Sequence, residues 1–232
     1  MKKKLSIIIP CYNEERTIVD ILSNLTKIEK YDHDLEIIVI DDYSSDNSLF
    51  LIEKNNTLFT HLIKNSKNNG KGFCVREGLK KATGDYIIFQ DADLEYDVND
   101  ISRFIKMINK FSPDMILGSR FNYFEYTRSH NFLNKCGNYI ITTLLNVLYN
   151  TTFSDIYTCY VCFRRQLINP QELLTNGWEQ QAEIICKVIK KSKMFFEIPI
   201  NYNGRTAEEG KKIKYYHIFY VIFTIFKERL KK

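Results

Sequence analysis

Asp91-Ala92-Asp93-Leu94-Glu95 places three carboxylates in alternation directly behind an apolar run at residues 86–90. Acids that end a buried strand are held close together and repel one another. A hard divalent cation, Mg2+ or Mn2+, relieves that repulsion and takes oxygen ligands from them. The same cation bridges a nucleotide diphosphate and offsets the charge on its leaving group. On this reading Asp91, Asp93 and Glu95 are metal ligands. A lone Asp-X-Asp would be better read as an acidic loop that caps the next helix, so the case depends on what else shares its edge.

Two more clusters do. Asp41-Asp42 ends the run 36–40 in the same way, and a carboxylate there accepts hydrogen bonds from a base or ribose. Helix capping is the competing role, which Ser44, Ser45 or Asp46 can fill instead. Pro10-Cys11-Tyr12-Asn13-Glu14 follows the run 5–9. Asn69-Gly70-Lys71-Gly72 combines permissive backbone with one cation at a helix start, where anions are favoured. It lacks the GxxxxGK[ST] pattern, which argues against an ATPase.

These residues need a scaffold that brings them to one edge. Residues 5–9, 36–40, 59–63, 86–90 and 115–117 are short apolar runs, with helical patterns over about 14–30 and from the 68–72 segment to about 82. That alternation predicts an α/β fold with a mostly parallel sheet flanked by helices. In such sheets ligands bind at the carboxyl ends of the strands, where all three acidic clusters fall. The second half changes character: an amphipathic helix at about 132–149, strands at 161–163 and 194–198, a helix at 180–191 and a loop at 201–205. Residues 215–232 read as an amphipathic tail helix. No repeat or low-complexity linker divides the chain. The expectation is one domain over 1–232, in three stretches: 1–118 with the acidic clusters, 119–213, and the tail (214–232).

The chain has 232 residues, 44% of them hydrophobic, and a formal charge of +5. That length and composition can bury a sizeable core, and the charge is too modest for a nucleic-acid binder. Six cysteines at 11, 74, 136, 159, 162 and 186 are scattered, and the Cys159–Cys162 pair has no second pair to complete a zinc site. They are expected to be reduced thiols in the cytosol. Three lysines precede residues 5–9, but that run is too short for a signal peptide and meets Pro10 and a charged stretch. No stretch reaches the roughly 18 apolar residues that span a bilayer.

Ile7-Ile8-Ile9-Pro10-Cys11-Tyr12-Asn13-Glu14, Val39-Ile40-Asp41-Asp42-Tyr43-Ser44-Ser45-Asp46, Asn69-Gly70-Lys71-Gly72 and Gly84-Asp85-Tyr86-Ile87-Ile88-Phe89-Gln90-Asp91-Ala92-Asp93 resemble, in order and spacing, family 2 glycosyltransferases with the Rossmann-like GT-A fold. Gly118-Ser119-Arg120-Phe121, Asp155-Ile156-Tyr157-Thr158, Phe163-Arg164-Arg165 and Tyr202-Asn203-Gly204-Arg205-Thr206 look like the dolichol- and polyprenyl-phosphate sugar synthases. The resemblance implies that Pro10, Tyr12, Glu14, Asp41, Asp42, Lys71, Asp91 and Ala92 bind the nucleotide sugar. It implies that Asp93 and Glu95 join Asp91 on the metal. Arg120, Arg128, Arg205 and Lys211 would face phosphates of donor and acceptor. Cys159 stands where the family usually has Gly, and Tyr96-Asp97 replaces a His-Pro or Pro-Pro pair.

A sugar hydroxyl must lose a proton to attack an anomeric carbon, so its transferase needs a positioned base. Asp155 is the candidate here, with a capping or Arg-pairing carboxylate as the competing role. A lipid monophosphate, with a second pKa of about 6 by analogy with phosphorylated side chains, is already a nucleophile near neutral pH. It needs charge neutralisation and alignment, which arginine forks supply. The leading expectation is an inverting, metal-dependent transferase, with Asp91, Asp93, Arg120 and Arg205 at its centre. It would move a hexose from a UDP- or GDP-sugar to a polyprenyl phosphate, peripherally, on the cytoplasmic face of a membrane. The aromatic stripe of the tail, flanked by lysines and arginine, suits an anionic lipid surface or a membrane-protein subunit. Two alternatives stand beside it: a transferase that extends a glycan or glycolipid through a hydroxyl, and a non-catalytic nucleotide-sugar-binding subunit.

Overall fold

The computed structural model describes residues 3–122, 125–128, 132–206 and 216–231. The chain runs β1 (Lys4–Cys11), α1 (Ile18–Lys27), β2 (Asp34–Asp41), α2 (Ser48–Lys54), β3 (His61–Lys64), α3 (Lys71–Lys81), β4 (Tyr86–Phe89), α4 (Asp100–Phe111) and β5 (Met115–Ser119). It continues through α5 (Phe132–Tyr149), β6 (Val161–Arg164), α6 (Gln180–Lys191), β7 (Phe195–Pro199) and α7 (His217–Leu230). The strands form one sheet in the order β3-β2-β1-β4-β6-β5-β7. The first four are mutually parallel, β6 is antiparallel to both neighbours, and β7 is parallel to β5. The sheet is therefore mostly parallel, with one reversed strand that apolar runs alone do not reveal.

Leu5, Ile7, Ile8 and Ile9 of β1 are all fully buried, as are Ile38, Val39 and Ile40 of β2 and Ile87 and Ile88 of β4. Unbroken apolar runs are what a parallel sheet covered on both faces demands. Pro10 is tolerated in β1 because β4 pairs only with Leu5 to Ile8, leaving Pro10 past that ladder. In α4, Ile101, Phe104, Ile105 and Ile108 fall at helical spacing, and all are fully buried. Each such side chain stabilises the fold by roughly 1.5–3 kcal/mol.

The helix expected over 14–30 is shorter at both ends, Ile18–Lys27. The residues ahead of it pair elsewhere. The backbone N–H groups of Asn13, Glu14 and Glu15 donate to Ser44 Oγ, Ser48 Oγ and Asp46 Oδ2, at 3.1, 2.8 and 3.1 Å. The Asn47 N–H donates back to Glu15 Oε2 at 3.0 Å. These bonds staple the loop after β1 to the loop after β2. The third strand is shifted to His61–Lys64, and α7 begins at His217 within the described residues.

One buried polar knot ties three strands beneath the site. Glu36 of β2 accepts from Ser6 Oγ at 2.5 Å, from the Thr83 N–H at 2.8 Å and from Thr83 Oγ1 at 2.7 Å. Ser6 Oγ in turn accepts from the Gly84 N–H at 2.9 Å. Burial pushes the Glu36 carboxyl up, but the bonds from Ser6 and Thr83 outweigh it and hold the pKa below its ordinary value. A carboxylate with a depressed folded pKa contributes stability above its unfolded pKa and loses it as pH falls through the folded one. Glu36→Ala is expected to lower unfolding stability by about 2–4 kcal/mol at pH 7, since it strands buried donors. The difference from wild type should hold above about pH 5 and shrink below about pH 4, as followed by urea melts at several pH values.

Candidate active site

Sheet order makes β2, β1 and β4 neighbours, so the loops after all three lie side by side. Each holds one non-glycine residue in the left-handed region: Asn13 (φ 52°), Tyr43 (φ 63°) and Leu94 (φ 59°). Asn tolerates that conformation, whereas Tyr and Leu forgo roughly 1–2 kcal/mol each there. Such strain persists where surrounding bonds over-determine the loop, as the cross-loop staples do.

Asp42 is nearly buried and organises the third motif. Its oxygens accept from the N–H groups of Asn69 at 3.0 Å and Gly70 at 2.8 Å, and from Asn65 Nδ2 at 2.7 Å. Asp41 beside it receives the Ser44 N–H on Oδ2 at 3.2 Å, while its buried Oδ1 has no partner among the described residues. A donor from outside is needed there, because a buried unpaired acceptor is costly.

The start of α3 is held by a loop from the second half of the chain. Gly70 has φ 91°, and a Cβ on Gly72 would stand 2.5 Å from the Asn176 carbonyl carbon and 2.8 Å from Gly177 O. Gln180 Nε2 donates to Gly72 O at 2.5 Å. The close approach delivers Lys71 between two partners: Asp91 Oδ1 at 2.5 Å and the Trp178 ring, 5.2 Å from Nζ to centroid. Burial alone lowers an ammonium pKa, but the Asp91 carboxylate outweighs it, so Lys71 is held above its ordinary value and stays charged. Cys159 lies beside the same pair, and burial pushes its thiol up, so it is neutral.

The acids after β4 meet the chain again at residues 202–205. Tyr202 Oη donates to Glu95 Oε2 at 2.7 Å, the Asn203 N–H to Glu95 O at 2.8 Å and the Arg205 N–H to Glu95 Oε1 at 2.9 Å. The Arg205 guanidinium then stands among three carboxylates: Nη2 is 2.8 Å from Glu14 Oε2 and 3.5 Å from Asp93 Oδ2, and Nε is 4.0 Å from Glu95 Oε1. Among the described residues no three acidic, His or Cys side chains form a ready cage for a metal ion. Asp91, expected with Asp93 and Glu95, is turned to Lys71 instead. The guanidinium is nonetheless a stand-in cation, and the all-oxygen donors around it, Glu14, Asp93 and Glu95, suit a hard divalent ion.

Arg120 is fixed differently. Nε and Nη2 make a fork to Asp155 at 2.7 and 2.9 Å, and Nη2 also donates to Tyr157 O at 2.7 Å. Asp155 is fully buried and accepts a further bond from Asn138 Nδ2 at 2.7 Å. Burial pushes the Asp155 carboxyl up, but Arg120 outweighs it and leaves the pKa below its usual value. Asp155, expected as a candidate base, is thus the anchor of Arg120 and is not in the cavity wall.

A cavity of about 390 Å3 brings together Glu14, Lys71, Asp91, Asp93, Glu95, Arg120 and Arg205. It does not bring in Pro10, Tyr12, Asp41, Asp42, Ala92 or Arg128. Pro10, Tyr12, Asp41 and Asp42 lie at the ends of β1 and β2, and buried Ala92 presents its carbonyl to Thr17 Oγ1 at 2.6 Å. Arg128 is exposed and donates through Nη1 to Gly204 O at 3.1 Å, which supports the Arg205 segment. Lys211 lies outside the described residues. Trp178 and Gln181 also line the cavity although no sequence motif marks them, and Tyr157 and Tyr202 are marked only as parts of motifs. Trp178 is the sole tryptophan of the chain, a composition signal, but its nearness to Lys71 is purely tertiary. The Tyr157 hydroxyl is buried with no partner among the described residues.

α5 and α7 contribute apolar side chains to the lining, Leu133 and Ile141 with Ile218, Phe219 and Val221, alongside the polar Asn134, Asn138 and His217. The outer sides of these two packed helices expose Phe132, Tyr139, Ile140, Val147, Tyr220, Phe223, Phe226 and Leu230. No helix among the described residues is long and apolar enough to cross a membrane. All six cysteines are free thiols.

Gly72→Ala forces the 176–178 loop away from α3. It is expected to destabilise the protein by about 1–3 kcal/mol, as overpacking does. Because Trp178 is the only tryptophan, its emission should shift as it parts from Lys71; unchanged emission and stability would contradict the close approach.

Among curated proteins, the chain is 30% identical over 222 residues to a dolichyl-phosphate beta-glucosyltransferase of Saccharomyces cerevisiae, covering 86% of this chain and 66% of that one. It is 26% identical over 208 residues to the low-salt glycan biosynthesis hexosyltransferase Agl6 of Haloferax volcanii, covering 88% and 49%. The chain thus spans just under two thirds of the yeast relative and about half of the archaeal one. Among solved structures, glucosyl-3-phosphoglycerate synthase of Mycobacterium tuberculosis, in complex with Mn2+, UDP and glucosyl-3-phosphoglycerate, superposes with a TM-score of 0.73 over 97% of this chain and 80% of that one. At 15% identity that likeness speaks for the GT-A fold alone. The glycosyl transferase family 2 model matches residues 6–170, most of the chain and all of the charged sheet edge except the 176–178 and 202–205 segments, and the chain belongs to that family.

Proposed function

We propose that this chain transfers a hexose from a UDP- or GDP-sugar to a polyprenyl phosphate at the cytoplasmic face of a membrane. One observation carries the reading: a single cavity is lined both by carboxylates and arginines and by apolar side chains of α5 and α7. The names of the yeast and archaeal relatives support hexose transfer and, for the former, a dolichyl phosphate. The mycobacterial structure, alike in fold, holds Mn2+ and UDP.

Asp41 and Asp42, at the carboxyl end of β2, are assigned to the base and ribose side of the donor, with Asp42 fixing the loop beside them. Asp93 and Glu95, with Asp91 once Lys71 yields it, hold the metal. When bound, the metal neutralises the diphosphate and eases its departure. Tyr157 Oη, buried and unpaired, is placed to bond a sugar hydroxyl. Arg120, immobilised by Asp155, presents fixed positive charge to a phosphate. A phosphate oxygen of the acceptor attacks the anomeric carbon as the bond to the diphosphate oxygen breaks, and configuration inverts. No base is required, since the acceptor is already anionic. The cavity's carboxylates fit that: Glu14 is on Arg205, Asp91 on Lys71, Asp93 near Arg205 and Glu95 on Tyr202. Asp155, the base a hydroxyl acceptor would call for, is saturated by Arg120 and Asn138.

The acceptor lies in a bilayer, since each exposed CH2 is unfavourable by about 0.8 kcal/mol. The exposed face of α5 and α7, with Lys227, Arg229 and Lys231 near its end, is proposed to rest on anionic lipid or on a membrane subunit.

The test is a matrix of radiolabelled nucleotide hexoses against polyprenyl phosphates and hydroxyl glycans. Label in an organic-soluble product labile to mild acid is the expected result; label only in hydroxyl-linked product would overturn the acceptor. Asp93→Ala should cut turnover by about 10^3-fold or more, in the range of losing a key electrostatic group, while the melting temperature barely moves. Replacing Phe223, Phe226 and Leu230 together by Ser, at side chains 66%, 44% and 82% exposed, should leave the fold intact. Flotation with anionic liposomes should then show release of the variant; retained binding would place the contact elsewhere.

A further inference from the structure

We infer that Arg205 is an exchangeable counter-cation of the acidic cluster, which competes with the divalent ion for Asp93 and Glu95 and turns to phosphate when the ion arrives. The inference rests on the proposed metal-dependent function and adds a role for one residue within it.

Among the described residues two arginines line the cavity, and they are held in opposite ways. Arg120 is locked by a two-pronged fork to a fully buried carboxylate and by a carbonyl. Arg205 makes its short contact at Glu14, with Asp93 at 3.5 Å and Glu95 at 4.0 Å. Its backbone, in contrast, is fixed: its N–H is on Glu95, and Tyr202 and Asn203 before it are bonded to the same residue. A fixed main chain with a loosely centred guanidinium describes a side chain that can leave without unfolding the loop.

Charge sets the competition. Glu14, Asp93 and Glu95 bring three negative charges around one guanidinium. A carboxylate oxygen that binds a hard divalent ion cannot also receive an N–H on the same lone pair, and two cations a few ångströms apart repel. Arg205 must therefore give up Asp93 and Glu95 as the ion is taken on. The departing guanidinium remains within the cavity, where the diphosphate or the acceptor phosphate is the anion that can receive its planar fork. Arg205 thus keeps the unloaded acids from splaying apart by like-charge repulsion, and loading delivers an arginine to the phosphates as part of the same event.

The experiment measures Mn2+ binding to the full chain without nucleotide, by paramagnetic resonance of free Mn2+ and by Mn2+-induced thermal shift. Wild type is compared with Arg205→Ala and with Arg205→Gln, which keeps a polar, hydrogen-bonding side chain without the charge. Both variants are expected to bind Mn2+ about tenfold more tightly than wild type, the size of a typical coupling between two sites, with a larger thermal shift. If wild type binds Mn2+ and both variants bind it equally or more weakly, the exchange is overturned while the metal-dependent reading stands. If none of the three binds Mn2+, and UDP or GDP does not restore binding, both are overturned. The Gln variant keeps the test decisive if Arg205→Ala fails to fold.

Discussion

Like-charge repulsion at the carboxyl ends of three adjacent parallel strands is the constraint on which the rest of this structure depends. β1, β2 and β4 deliver Glu14, Asp41, Asp42, Asp91, Asp93 and Glu95 to one sheet edge. Hydrogen bonds from backbone N–H groups stabilise Asp42, but a carboxylate cluster of this density also needs cations. The chain supplies them from two distant places, Lys71 at the start of α3 and Arg205, which lies 110 residues beyond Glu95. Much of the chain downstream of β4 serves to bring those two cations in at the right distance.

The reversed strand β6 is how the second half reaches the edge. It enters between β4 and β5, antiparallel to both. The segment before it, residues 155–160, therefore lies over the carboxyl end of β4. From there Asp155 fixes Arg120, Tyr157 presents its hydroxyl, and Cys159 sits against the Lys71–Asp91 pair. Tyr96, Tyr160 and Tyr202 stack nearby, with Tyr96 at centroid separations of 5.1 and 5.0 Å from the other two, giving the acidic loop a rigid aromatic floor. A side chain larger than glycine at 159 fills space beside the Lys71–Asp91 pair, so the thiol helps to shape the cavity there.

The strands and their loops are legible from sequence because their signals are local. Buried runs such as 5–9 and 86–90 declare themselves by composition, and acids directly after them declare the edge. The cavity residues from Glu14 to Glu95 follow from that. What is illegible is tertiary. Nothing in Gly177-Trp178 announces that Trp178 covers Lys71, and nothing in Asn13-Glu14-Glu15 announces that these N–H groups bond to the loop after β2 rather than begin a helix. Asp155 illustrates the same limit: residue type leaves it open between a base and an Arg-pairing carboxylate, and only the fold shows that Arg120, 35 positions away along the chain, takes both its oxygens. Arg205 is legible as a candidate cation of the site, whereas its seat among the acids becomes visible only in three dimensions.

The tail helix α7 is joined to the charged site by a continuous set of contacts. Glu228 of α7 is buried, 3.3 Å from Lys187 of α6, and burial is outweighed by Lys231 and Lys187, so its pKa is lowered and it remains a carboxylate. Lys187 is 3.7 Å from Glu183, one turn earlier on α6. Glu183 in turn receives the N–H groups of Leu174 at 3.0 Å and Thr175 at 3.0 Å, just ahead of the Asn176-Gly177-Trp178 segment that seats Lys71. The first turn of α7 also lines the cavity directly. A helix that leans on α6 through buried charges cannot shift without moving the loop that those charges hold, because stranding one partner of a buried pair is strongly unfavourable. The α7 helix and the Lys71–Asp91 pair are therefore parts of one packed unit.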